Sequence, residues 1–139
     1  MFHLWPREVY QGRYKLFPVA ADDYFYQVLR YVERNAQRTG LVDQAEAWRW
    51  GSLWRRSHGT TEQRGVLSPW PLPQPRHWTR LVNEPQHESE ITAIRTCVAR
   101  GQPYGNQAWV RTTAQQLGLQ ATLRPRGRPR KPDHGTEQS

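Results

Sequence analysis

Pro69, Pro71, Pro73 and Pro75 alternate through the stretch "SPWPLPQPRHW". Each ring fixes φ near about −65° and removes a backbone N–H, so this spacing rules out helix and favours extended polyproline geometry. The whole of 57–87 therefore reads as a linker, or a strap over a surface, and not as core. The pieces on either side must bury what they can with few aliphatic residues. Of 139 residues, 36% are hydrophobic, and the mean hydropathy is −0.94. Any core is small. Seven Trp and six Tyr either fill it or stack on a flat partner such as a base.

Before the strap, "VYQGRYKLFPV" (9–19) reads as a strand stopped by Pro18. Residues 22–38 read as a helix. Asp22 or Asp23 caps it, Phe25, Val28, Leu29, Val32 and Ala36 form its apolar stripe, and Gly40 stops it. "DQAEAWRWGSLWRR" (43–56) adds a short helical turn carrying Trp48, Trp50 and Trp54. Structural duty is the default for these three, with base stacking as the alternative.

After the strap, Ile91, Ile94 and Val98 share one helical face. Trp109, Val110, Thr113 and Leu117 share another, from about Asn106 to a stop at Gly118. The breaker-rich turn "RGQPYGN" joins the two. A helix-turn-helix with Arg95, Arg100 and Arg111 is one reading. A helical hairpin packed over Trp109 carries more weight, because the turn is long. The expected organisation is 1–56, a Pro-rich linker 57–87, a helical hairpin 88–123, and a basic tail 124–139 that is disordered when free. No internal repeat is present.

The net charge is +8 and the isoelectric point about 10.4. Such a chain favours polyanions, nucleic acid before an anionic membrane. A single cysteine, Cys97, excludes an internal disulfide and a thiolate zinc cage, and fits a reducing compartment. No run approaches the roughly 20 apolar residues of a membrane span. The start lacks a signal-peptide core, so a soluble, cytoplasmic protein is expected. His58, His77, His87 and His134 show no metal-ligand spacing.

Two constellations carry chemistry. In "RYVERNAQR" (30–38), Tyr31, Asn35 and Arg38 fall on one helical face, away from the apolar stripe. An activated tyrosine can attack a phosphodiester whose charge a divalent metal polarises. An amide oxygen four residues on is a hard-cation ligand in reach. Spacing by itself favours packing for Tyr31. The second is "RPRGRPRK" (124–131), whose Pro-Arg-Gly-Arg-Pro order resembles an AT-hook core. Arg126 and Arg128 suit the narrow minor groove of an A/T tract, and Gly127 lets the backbone lie on its floor. Arg124, Arg130 and Lys131 suit phosphates. A generic basic tail is the plainer alternative.

The segments "VYQGRYKLFPV", "YVERNAQRTGLV", "AEAWRWGSLWRR", "LSPWPLPQPRHW", "VNEPQ" and "RGQPYGNQAWVRTTAQQLGLQATLRPRGRPRK" together resemble the C-terminal part of the REP-associated tyrosine transposases, of the single-tyrosine HUH superfamily. The resemblance runs in order from about Val9 to Lys131. It implies that Tyr31 is the nucleophile, attacking single-stranded DNA at the foot of a hairpin to form a 5′-phosphotyrosyl link. It also implies that Asn35 helps hold Mg²⁺ or Mn²⁺. "MFHLWPRE" resembles the end of the family's His-hydrophobe-His metal strand. His3 matches its second histidine, and Met1 stands in the place of the first, with a thioether too soft for Mg²⁺.

The strands before that motif, and a helical segment after it, have no counterpart. The fold expected is α+β: a remnant of a ferredoxin-like βαββαβ domain, now mostly helical. The functional expectation is DNA transposition by single-strand cleavage and joining, degenerate in this chain. The alternatives are a non-catalytic DNA-binding remnant acting through its tail, and a decayed reading frame without stable structure. Partners implied are single-stranded hairpin DNA and A/T-rich duplex, with nucleoid association. No membrane partner is expected, and a homodimer is left open.

Overall fold

The computed structural model describes residues 15–125 and 127. Seven α-helices carry most of that span: α1 (Asp23–Glu33), α2 (Asn35–Arg38), α3 (Ser52–His58), α4 (Thr61–Gly65), α5 (Trp78–Asn83), α6 (Glu88–Arg100) and α7 (Gln107–Leu117). Two 3-10 turns, Ala45–Ala47 and Gln120–Leu123, complete it.

Asp22 starts α1, its side chain accepting from the Tyr24 amide at 3.0 Å. The expected single helix breaks at Arg34, and α2 then ends as the sequence indicates. Gly40 takes φ 78°, and Leu41 N–H reaches the Ala36 carbonyl at 2.9 Å. With Gly40 N–H on the Gln37 carbonyl at 3.1 Å, this is a Schellman closure.

α1 is buried on two faces, which the single expected stripe misses. Tyr24, Val28 and Tyr31 pack on a cluster of Ile94, Cys97 and Tyr104. Tyr26 and Leu29 pack on a second cluster of Ala45, Leu53, Trp78 and Val82. Glu33 is buried on the second face, and Val32, between the two faces, is 56% exposed. Ile94 and Val82 are fully buried, each contributing about 1.5–3 kcal/mol.

The Pro-rich segment is a strap in part, with Tyr26 Oη donating to the Pro73 carbonyl at 2.6 Å. It is also core, which corrects the linker expected at 57–87. Trp70 meets Trp78 edge-on at 5.0 Å, and Trp78 and Val82 project from α5 inside that segment. A helix of six residues is too short to show a period. α4 also lies there, closed by a capping box between Thr60 and Gln63.

Arg30 and Arg34 reach across from α1 to cap α5. Arg30 donates to the carbonyls of Leu81 (2.9 Å) and Glu84 (3.0 Å), and Arg34 to those of Val82 (3.1 Å) and Asn83. Two cations thus sit at the negative end of a helix.

α6 and α7 lie where expected, stopped by Gly101 (φ 68°) and Gly118 (φ 67°). α6 docks on α1, while α7 packs mainly against the 3-10 turn that follows it. Trp109 rests on Gly105, where a Cβ would come within 2.4 Å of its ring. Gln86 ties α1 to α6, donating to the Gln27 carbonyl at 3.1 Å and to Glu90 at 2.7 Å.

The expected strand reduces, over 15–19, to one parallel bridge between Val19 and Tyr104; residues 9–14 lie outside the described residues. Among the described residues there is no sheet, and the chain is mostly helical.

Candidate nucleic-acid interface

Tyr31, Asn35 and Arg38 meet as their spacing indicates, although the helix breaks between the first two. The Arg38 guanidinium lies 4.0 Å from the centre of the Tyr31 ring. It donates to Asn35 Oδ1 at 2.9 Å, and both its terminal nitrogens lie 3.3 Å from the Tyr31 carbonyl. Tyr31 is half-buried, its ring against Ile94, Cys97 and Tyr104.

Burial pulls Arg38 below its ordinary value. The Tyr31 oxygen opposes that pull, and the neighbouring Arg95 charge adds to it. Arg34 is lowered too, by burial first and then by Arg30 and Arg38. Arg34 thus feels the charges of Arg30 and Arg38, and Arg38 feels that of Arg95. Arg30 and Arg34 spend their donors on α5. Arg38 and Arg95 have no carboxylate partner among the described residues. An anion placed between Arg38 and Arg95 would relieve that repulsion.

The described donors do not fit Mg²⁺ or Mn²⁺. Asn35 Oδ1 already accepts from a cation, so a divalent ion there would lose a ligand and meet a positive charge. No group of three His, Cys, Asp or Glu among the described residues is placed to hold a metal. His3 lies outside the described residues.

In the tail, Arg124 and Gly127 are described and exposed, while Arg126, Arg128, Arg130 and Lys131 lie outside the described residues. The Arg124 carbonyl accepts from the Arg100 guanidinium, which ties the start of the tail to the end of α6. A Cβ on Gly127 would meet nothing within 4 Å.

The three tryptophans expected by default to be structural are not the ones in the core. Trp78 and Trp70 do the structural work, and Trp48, Trp50 and Trp54 stand outside both core clusters. Trp54 stacks on His58 at 5.7 Å, and Trp50 is 70% exposed.

Sequence reasoning missed Glu33. Its Oε1 accepts from Ser52 Oγ at 2.8 Å and pairs with Arg56, and its Oε2 accepts from Trp78 Nε1 at 2.7 Å. A polar residue flanked by a valine and an arginine gives no local sign of burial. The effect of the Arg95 charge on Arg38 was likewise missed, because the two are 57 positions apart in the sequence. No protein-family model, curated protein or solved structure matches the chain.

Proposed function

We propose that this chain is a DNA-binding remnant of a REP-associated tyrosine transposase, and that it does not cut DNA by itself. The observation that carries the reading is the Arg38 guanidinium. It is seated on the Tyr31 ring, within electrostatic reach of Arg95, and has no carboxylate partner among the described residues. Such a pair suits a backbone phosphate of single-stranded hairpin DNA. In the parent reaction Tyr31 would attack that phosphate. Here Arg38 occupies the Asn35 oxygen that would help hold the metal, so the site keeps the binding half of the chemistry. The helical body is then what remains of an α+β domain whose ferredoxin-like sheet is reduced. The tail adds an A/T-preferring minor-groove contact through Arg126 and Arg128, and nucleoid association would follow from both.

No helix among the described residues is long and apolar enough to cross a membrane. The test is the salt dependence of binding to a labelled hairpin oligonucleotide. Arg38→Ala should weaken binding and reduce the slope of log affinity against log salt by about 0.7, one single-strand phosphate contact. Arg126→Ala with Arg128→Ala should instead remove only A/T-tract preference. An unchanged slope in Arg38→Ala would overturn the phosphate assignment.

A further inference from the structure

Asn35, bonded to Arg38, also lines a cleft of about 370 Å³, walled by Val32, Leu41, Trp48 and Trp50. Three of those walls are large apolar side chains left in solvent: Val32 is 56% exposed, Leu41 64% and Trp50 70%. Gly51, which also lines the cleft, sits close against Trp48: a Cβ there would stand 3.1 Å from its ring. The turn that carries both rings is closed by Gly51 N–H on the Trp48 carbonyl at 3.0 Å. Trp48 is thus half-buried, while Trp50 offers a free indole face.

The charge around the cleft selects its occupant. Glu33 lines it, but that carboxylate is already met by Arg56, Ser52 and Trp78. Exposed Arg49 lies between the two tryptophans in the sequence, and Arg38 binds the shared Asn35. An occupant that is flat, apolar on its faces and attached to negative charge meets all of these. We infer that the cleft takes one unpaired base of a single-stranded nucleic acid, stacked on Trp50, while the adjoining phosphate lies on Arg38. Stacking of this kind tolerates any base, because every base has a π-face. The inference rests on the phosphate site proposed above and names what lies next to it.

The test compares an oligo-thymidine with an abasic strand of the same length, which offers the same phosphates and no bases. Binding to the full chain is followed by anisotropy of a labelled strand. The wild-type protein should prefer the thymidine strand by about tenfold, the effect of one stacked base. Trp50→Ala, at an exposed position, should bring that ratio close to one while leaving abasic binding unchanged. Far-UV circular dichroism checks that the variant is folded. Arg38→Ala should weaken both strands alike and keep the ratio.

Equal binding of the two strands by wild type, or a ratio that survives in Trp50→Ala, overturns the base cleft and leaves the phosphate site standing. A preserved ratio with no effect of Arg38→Ala overturns the phosphate site instead. Failure to bind either strand overturns both. A wild-type dimer that becomes monomeric in Trp50→Ala by sedimentation would show that a second copy covers the cleft, and would overturn the proposal.

Discussion

Exchanging Glu33 for Gln removes a charge and almost no volume, so its cost isolates the buried carboxylate. The Glu33 side chain is fully buried, and the Arg56 side chain beside it is 24% exposed. Three donors converge on it, from Ser52, Arg56 and Trp78. An amide offers one acceptor oxygen, so its NH₂ group must face either the Trp78 N–H or the Ser52 and Arg56 pair. One buried donor left unmet costs about 1–3 kcal/mol. Losing the attraction to Arg56 adds about 1 kcal/mol, since that head group can turn partly to water. The expected loss is about 2–4 kcal/mol.

The neighbouring Val32, 56% exposed, supplies the control: Val32→Ser should change stability by no more than about 0.5 kcal/mol. Urea unfolding followed by tryptophan fluorescence, at constant m, measures both. Equal costs, or a larger cost at Val32, would refute the two-faced burial of α1.

Arg34→Met should cost about 1–3 kcal/mol in the same assay, because the carbonyls of Val82 and Asn83 at the end of α5 lose their donor; an unchanged urea midpoint would contradict that role. Stability should also fall in alkali. Burial pushes the Cys97 thiol up from 9.0 to about 11. It pushes the Tyr104 hydroxyl up from 10.0 to about 12, with Glu90, Cys97 and Tyr24 adding to it. Both protons leave the unfolded chain first, so stability is intact below about pH 9 and declines as pH rises from 9 towards 12. Urea midpoints taken across that range should fall, and Cys97→Ala should flatten the first part of the fall; a level profile would contradict the burial of both groups.

Local chemistry was legible in the sequence wherever it acts alone. The Asp22 cap, the Gly40 and Gly118 stops and the α6 face through Ile91 and Ile94 all follow from side chains and near neighbours. The shared face of Tyr31, Asn35 and Arg38 followed too, from helical spacing that survives the break at Arg34. What was not legible depends on partners distant in sequence. The stripe through Val32 failed because α1 serves two cores at opposite faces, and one period cannot describe both. Trp78 looked like part of a proline strap because nothing beside it in sequence announces that Glu33 will accept from its indole, 45 residues away. Arg95 comes within electrostatic reach of Arg38 only once α6 lies on α1.

The most direct measurement of the central claim uses a 5′-labelled single-stranded hairpin oligonucleotide, the purified chain with Mg²⁺ or Mn²⁺, and native and denaturing gels run side by side. Tyr31→Phe is the control. A shifted native band, with no covalent protein–DNA band on the denaturing gel, is the result expected for a chain that binds without cutting. A covalent band that disappears in Tyr31→Phe would contradict the account, and would show Tyr31 acting as a nucleophile.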